Sequence, residues 1–207
     1  YFRRKTSNNA AFPSSVLNLY ANGGRLRACL CITHAFCGVY LYLNSALKSM
    51  KTKEEIVKNW LPRYTGRPLE DFTPYVLLTN FSNYLKLFSE WYDVPIMGQD
   101  KPIQTVVADG ITLINFGMGS PMAATMMDLL TAIKPKAVLF LGKCGGLKRK
   151  NAIGDLILPI AAIRGEGTSN DYFPPEVPAL PSFALQKAIS TTVRDFGMDY
   201  WTDTVYT

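Results

Sequence analysis

The chain has 207 residues, 48% of them hydrophobic and 18% charged, a balance that excludes a disordered chain and gives ample length for one domain with a real core. Its formal charge of +6 points to nucleic acid only until it is mapped. Residues 1–49 hold six bases (Arg3, Arg4, Lys5, Arg25, Arg27 and Lys48) and no acids, and beyond them 16 bases balance 16 acids; the basic excess belongs to the first quarter, and no nucleic-acid partner is expected.

That first quarter also holds Cys29, Cys31, Cys37 and the single histidine, His34. A zinc site built from them fits poorly, because the Cys-x-Cys step is shorter than structural zinc spacing and no second pair follows. Ala28 to Leu47 carries no charge, as a signal or membrane segment would. Thr33, His34, Tyr40, Tyr42, Asn44 and Ser45 make it a poor hydrocarbon span, so no membrane association is expected. Met50 then opens Met-Lys-Thr-Lys-Glu-Glu-Ile, which reads like a natural start. The expected organisation is an upstream leader over 1–49, packing poorly, and a domain over 50–207.

Thr52 with Glu55 forms a capping-box signature before Ile56, Val57, Trp60 and Leu61 at helical spacing, and Pro62 is expected to stop that helix. A loop with Arg63 and Arg67 leads to Tyr75–Thr79, a first buried strand. Asn80-Phe-Ser-Asn83 turns into an amphipathic helix carrying Tyr84, Leu85, Leu87, Phe88 and Trp91. Gln104–Ala108 and Ile111–Phe116 flank Asp109-Gly110, a strong hairpin turn. Gly117-Met-Gly-Ser-Pro121 breaks into a helix over Met122–Ile133 with proline in its first turn.

Ala137-Val-Leu-Phe-Leu141 follows, an unbroken apolar run with the pattern of a strand buried on both faces of a parallel sheet. It ends in Gly142-Lys-Cys-Gly-Gly146, where glycines let backbone approach a ligand; the same residues also fit a tight turn with a solvated Lys143. Lys148-Arg149-Lys150 reads as a solvated turn. Leu156–Ile163 reads as one further strand, ending in the polar loop Arg164-Gly-Glu-Gly-Thr-Ser-Asn-Asp171. Prolines at 174, 175, 178 and 181 force an extended segment before a helix over Ser182–Phe196, and Tyr200–Tyr206 reads as a last strand.

The two Gly loops lie one helix and one strand apart, with Gly154-Asp155 and the Arg164 loop shortly after. That order resembles the nucleoside phosphorylase and nucleosidase superfamily, in the branch containing uridine phosphorylase. More closely, Tyr64-Thr-Gly66, Leu78-Thr-Asn-Phe81, Gly142-Lys-Cys-Gly-Gly-Leu147 and Ala162-Ile-Arg-Gly-Glu-Gly-Thr-Ser169 resemble the AMP nucleosidases. Pro175-Glu-Val-Pro-Ala-Leu-Pro-Ser-Phe183 and Asp199-Tyr-Trp-Thr202 extend the resemblance, which runs from about Met50 to Thr207.

The resemblance implies a three-layer α/β sandwich with a central mixed sheet. Val76–Leu78, Leu113–Asn115, Val138–Leu141 and Leu156–Ile160 are expected together in it, with Val138–Leu141 away from the edge. It implies hydrolysis of the N-glycosidic bond of AMP, giving adenine and ribose 5-phosphate, with no cofactor and no metal. Where phosphorylases of this branch hold phosphate with two arginines, this chain has Asn83 and Phe140, which favours water over phosphate as the attacking group. The family's catalytic acid and ribose-clamping glutamate belong to later Ser-Asp and Met-Glu motifs that are not in this sequence. The catalytic residues are therefore unassigned, and the chain is expected to be incomplete at its C-terminal end and inactive.

For binding, the resemblance nominates Asn80 and Asn83, Gly117 and Gly119, Lys143 with Cys144, Gly145 and Gly146, and Arg164, Glu166, Thr168 and Ser169. Arg63 and Arg67 are candidates for the 5′-phosphate, at this site or a neighbouring subunit's, though both also suit a solvent-facing loop. Cys144 has no histidine after residue 34 to activate it, which favours a packed thiol over a nucleophile. A cytoplasmic homo-oligomer, a hexamer by resemblance, is implied. The alternatives are a purine nucleoside phosphorylase or hydrolase acting without the 5′-phosphate, and a non-catalytic nucleotide-binding module.

Overall fold

The computed structural model describes residues 51–207, which form one compact unit. The expectations for residues 1–49, including the Cys29–Cys37 cluster, lie outside the described residues. The first helix, α1 (Lys53–Thr65), starts on the capping box read from the sequence, with the Thr52 side chain accepting from Glu55 N–H and the Glu55 carboxylate accepting from Thr52 N–H. Pro62 does not stop it. A proline so near the end forfeits one backbone bond in the closing turns, and the chain runs on to Thr65. Gly66, in the left-handed region at φ 68°, ends the helix by donating to the Pro62 carbonyl at 2.8 Å.

The main sheet is mixed. Strand β1 (Tyr75–Thr79) lies between β3 (Ile111–Asn115) and β4 (Ala137–Leu141), parallel to both, and β2 (Gln104–Ala108) runs antiparallel to β3. Asp109 (φ 49°) and Gly110 (φ 73°) make the hairpin turn between β2 and β3, both left-handed as a two-residue hairpin requires. Register sets Leu78 opposite Ile114 on one side and Phe140 on the other.

Side-chain alternation along these strands builds a core on each face. On one face Val76, Leu78 and Ile114 meet Leu61 of α1 and Met126, Leu129 and Leu130 of α3 (Ser120–Leu130). On the other, Val106 and Leu113 meet Leu85 and Phe88 of α2 (Ser82–Tyr92). Helix, sheet and helix thus form the expected three layers. Leu61, Leu85 and Ile114 have no exposed surface, and truncating any one to alanine costs about 2–5 kcal/mol.

Two expectations about the sheet are corrected. The order is β2-β3-β1-β4, so Val138–Leu141 lies in the strand at the edge, with Leu139, Phe140 and Leu141 all exposed. Its apolar run resembles a doubly buried strand, but β1 takes the central place. The run Leu156–Ile160 is not in this sheet. The single strand expected over Leu156–Ile163 is instead two, β5 (Leu156–Ile157), paired with β7 (Tyr200–Trp201), and β6 (Ala161–Ile163), paired with β8 (Thr204–Tyr206), as two parallel two-stranded ladders. Pro159 lacks a ladder N–H and interrupts the first run. Leu158 and Ile160 N–H still reach the Trp201 and Asp203 carbonyls at 2.9 and 3.1 Å, which keeps the two ladders in line. Helix α4 (Phe183–Asp195) joins them.

Candidate active site

A cavity of about 860 Å³ opens where the carboxyl ends of the main strands meet the loop beyond β6. Asn80 follows β1, Phe116 and Gly119 follow β3, and Phe140 lies on β4. The opposite wall is the segment from Arg164 through Phe173, continued by Val177–Leu180. Ligands of open α/β sheets bind at such strand ends, and a mostly apolar cavity with a few polar groups is the usual form of a small-molecule site.

Local chemistry fixes each wall. Thr79, wholly buried, accepts from Phe81 N–H on its hydroxyl and from Phe116 N–H on its carbonyl, both at 3.2 Å, which holds the β1 and β3 ends together around Asn80. Gly119 has φ 97°, a left-handed value that glycine adopts cheaply. It lets the chain turn from the β3 end into α3, with Pro121 in the first turn. Gly165 serves through size: a Cβ there would strike the ring of Tyr206 on β8.

The loop beyond β6 is gathered by Arg164. Its guanidinium donates to the carbonyls of Ser169 and Phe173, each at 3.2 Å, and to that of Pro174. The Glu166 carboxylate accepts from Ser169 N–H at 3.3 Å. Ser169, through its nearby hydroxyl and then its N–H, holds the Glu166 carboxyl below the ordinary carboxylate range, although that hydroxyl completes no hydrogen bond of normal length. Ser120 and Thr168 share a hydrogen bond. Beyond the loop, Tyr172 donates to Asp128 of α3 at 3.0 Å, and Lys53 of α1 donates to the other Asp128 oxygen at 2.7 Å.

The cavity brings together Asn80, Gly119, Arg164, Glu166, Thr168 and Ser169 of the residues nominated from the sequence. The others stand elsewhere. Asn83 is exposed in the first turn of α2, and Gly117 adjoins the cavity without lining it. Lys143 lies over the Phe81 ring, 4.5 Å from its centroid, and Cys144, Gly145 and Gly146 are exposed beside it. Arg63 is exposed in the last turn of α1. Arg67 is 7% exposed, donating from Nε to Thr105 Oγ1 at 3.0 Å.

Sequence reasoning placed Phe140 at the site in place of an arginine but missed Phe116, Tyr172 and Phe173, which complete an aromatic lining. Phe116 and Phe140, their ring centroids 5.9 Å apart, line the cavity together with Tyr172 and Phe173. The one available signal was the Tyr172-Phe173 pair closing a polar Gly-rich loop. Among the described residues no group of three metal-ligating side chains occurs, and no helix is long and apolar enough to cross a membrane.

Comparison with known proteins agrees with this geometry. The Phosphorylase superfamily model matches residues 74–207. The crystal structure of AMP nucleosidase from Bacteroides thetaiotaomicron VPI-5482 is similar at 66% sequence identity and a TM-score of 0.73, over 76% of this chain and 66% of that one. AMP nucleosidase of Escherichia coli (strain K12) is 31% identical over a 167-residue alignment that covers 62% of this chain and 34% of that protein. A uridine phosphorylase from Vibrio fischeri ES114 is similar at 25% identity with a TM-score of 0.61, over 67% of this chain and 60% of that one. The chain spans about a third (34%) of the length of the curated AMP nucleosidases it matches.

Proposed function

This chain belongs to the phosphorylase superfamily, and on that premise we propose that it carries the substrate-binding part of an AMP nucleosidase, which hydrolyses the N-glycosidic bond of AMP to adenine and ribose 5-phosphate. The observation that carries the reading is the 66% identity to the Bacteroides thetaiotaomicron AMP nucleosidase. The form of the cavity supports it. Aromatic rings suit a flat base, and Phe140, which stands where a phosphorylase arginine is expected, offers nothing to an attacking phosphate.

The chemistry divides between recognition and protonation. Adenine leaves ribose readily only when a ring nitrogen is protonated, and a positioned acid contributes roughly 10²–10⁴-fold. Among the described residues Glu166 is the one carboxyl side chain on the cavity wall, and its lowered pKa keeps it ionised at neutral pH. It holds a loop rather than donating a proton. These residues therefore supply binding and orientation, with little turnover of their own.

The 5′-phosphate needs a cation, and Arg164, the cation on the wall, is spent on carbonyls. We assign that role to Arg63, presented by one subunit of a cytoplasmic homo-oligomer, a hexamer by resemblance, to its neighbour's cavity. Calorimetric titration with AMP and adenosine, beside an adenine-release assay with and without phosphate, tests the whole reading. AMP should bind more tightly than adenosine, Arg63→Ala should erase that preference, and any adenine release should ignore phosphate. Formation of ribose 1-phosphate, or equal affinity for AMP and adenosine, sinks the reading in favour of a nucleoside phosphorylase.

A further inference from the structure

Phe140 holds its place on the cavity wall with little to brace it. Its strand pairs on one side only among the described residues, and the residue is exposed. Val138, two positions earlier on the same face of β4, packs against the first core, so the Phe140 side chain leaves the strand at that core's rim. There its ring lies against Phe116, which is buried, with the centroids 5.9 Å apart. It also lies over Gly142, the first residue beyond the strand.

A Cβ on residue 142 would stand 2.6 Å from Cε1 and 2.8 Å from Cζ of Phe140, and the three atoms nearest to it all belong to that ring. Carbon atoms of packed side chains do not approach so closely, so the ring and any side chain at 142 exclude each other. The backbone asks for no glycine here. Gly117 and Gly119 have φ of 85° and 97°, whereas Gly142 lies outside the left-handed region. Gly165 differs as well, because a Cβ there would meet the Thr207 carbonyl oxygen, and backbone does not yield easily. At Gly142 the nearest obstacle is the far end of one exposed side chain, which can turn away at small cost. The space above Gly142 is thus kept for the Phe140 ring.

Resting on the purine-nucleotide reading, we propose that Gly142 is a positioning residue of this cavity. It carries no side chain, so the Phe140 ring lies back over it and against Phe116, and meets the bound nucleotide from there. This role differs from the approach of backbone to a ligand that strand-end glycines otherwise serve. The two rings meet at 51°, which gives the ligand a bent apolar surface rather than a flat one. An aromatic side chain has two torsions to fix, so holding it ready costs little conformational entropy. An alanine at 142 pushes the ring off this place and leaves the β1–β4 ladder, which ends at Leu141, untouched. The ligand then loses a contact that the ring alone supplies.

The test is a double-mutant cycle on the full chain, with AMP affinity read by calorimetry and the empty protein followed by thermal melting. Gly142→Ala should weaken AMP binding roughly three- to tenfold, the range of one aromatic contact. Phe140→Leu, whose side chain stops short of Cε1 and Cζ, should weaken it by about as much, and Phe140→Val stands in for it if it does not fold. The two changes together should bind no more weakly than the Phe140 variant alone, since the alanine then has no ring to displace. In Gly142→Ala the melting temperature should stay within about 2 °C of the unaltered chain, because the backbone there suits alanine. Additive losses would mean that Gly142 serves by letting backbone approach the ligand, and overturn the proposal. A larger fall in melting temperature, or failure of Gly142→Ala to fold, makes the glycine structural and overturns it as well. If the unaltered chain binds no AMP, the functional reading fails and takes this proposal with it. Binding by the unaltered chain and by either single variant alike sinks this proposal alone.

Discussion

The hydroxyls of Ser120 and Thr168 stand 2.8 Å apart, joining the first turn of α3 to the loop beyond β6 across 48 positions of sequence. One wall of the cavity is thereby tied to the other before any ligand arrives. Thr168→Val should cost about 0.5–1.5 kcal/mol of stability, the net worth of one hydrogen bond. Amide exchange over 167–173 should quicken and AMP affinity should fall, while Thr168→Ser restores both. Exchange mass spectrometry and calorimetry read the two effects; unchanged exchange would show that Arg164 alone holds the loop.

Arg67 separates a structural cation from a ligand. Burial pushes its guanidinium pKa down, partly offset by Asp71, and Nε is committed to Thr105. Arg67→Ala strands a buried threonine hydroxyl, so stability should drop by about 1–3 kcal/mol in a urea melt. AMP affinity of the folded protein should stay as it was. The opposite outcome, weaker binding at full stability, would make Arg67 an anion ligand.

Lys143 sits over Phe81 at 4.5 Å and reaches toward Tyr84 at 5.7 Å. Lys143→Ala should remove an exposed cation–π contact worth about 0.5–1 kcal/mol. Contact with the reacting sugar or anion would instead show as roughly 2–4 kcal/mol of lost transition-state stabilisation. A urea midpoint of this chain, and relative turnover of the same substitution in an enzyme that carries the catalytic acid, decide between them.

Asp128 sets an acid limit. The Lys53 hydrogen bond holds its carboxyl below the ordinary range, opposed by burial and helped to a lesser degree by the Tyr172 hydrogen bond. Its folded pKa is therefore below its unfolded one, and the unfolded chain takes up the proton first. The contribution is complete above the ordinary carboxylate range and is lost as pH falls through the folded pKa. Melting temperature recorded from about pH 6 to about pH 3 should fall less steeply in Asp128→Asn than in the unaltered chain. Parallel curves would show that the pair contributes nothing measurable, as many exposed pairs do.

Local signals made much of the fold legible. Tyr75–Thr79 forms the strand its composition implies, the Asp109-Gly110 hairpin sits where the turn chemistry puts it, and Ser182 precedes α4. Strand placement was harder, because an apolar run reports burial preference and not which neighbours it will find. Ala137–Leu141 therefore looked central and lies at the edge. In the site, strand-end glycines and the Arg164 loop were visible as motifs. The destinations of their side chains were not: nothing local to Arg67 reveals Thr105, 38 positions away. From sequence alone Phe140 is only the residue standing where a phosphorylase arginine would be, and Phe116 reads as core, since an aromatic residue on a cavity wall has the same sequence neighbours as one inside it.

Phe140 belongs at once to the cavity wall and to β4, which pairs on one side only, with β1, among the described residues. With 54% of its surface exposed, its ring rests on Phe116 and on a strand whose outer backbone groups are free. Whatever pairs with that free edge would share Phe140 with the ligand. If pairing changes the ring's position, affinity in the cavity changes by some factor, and thermodynamic reciprocity requires the ligand to change the strength of the edge pairing by the same factor.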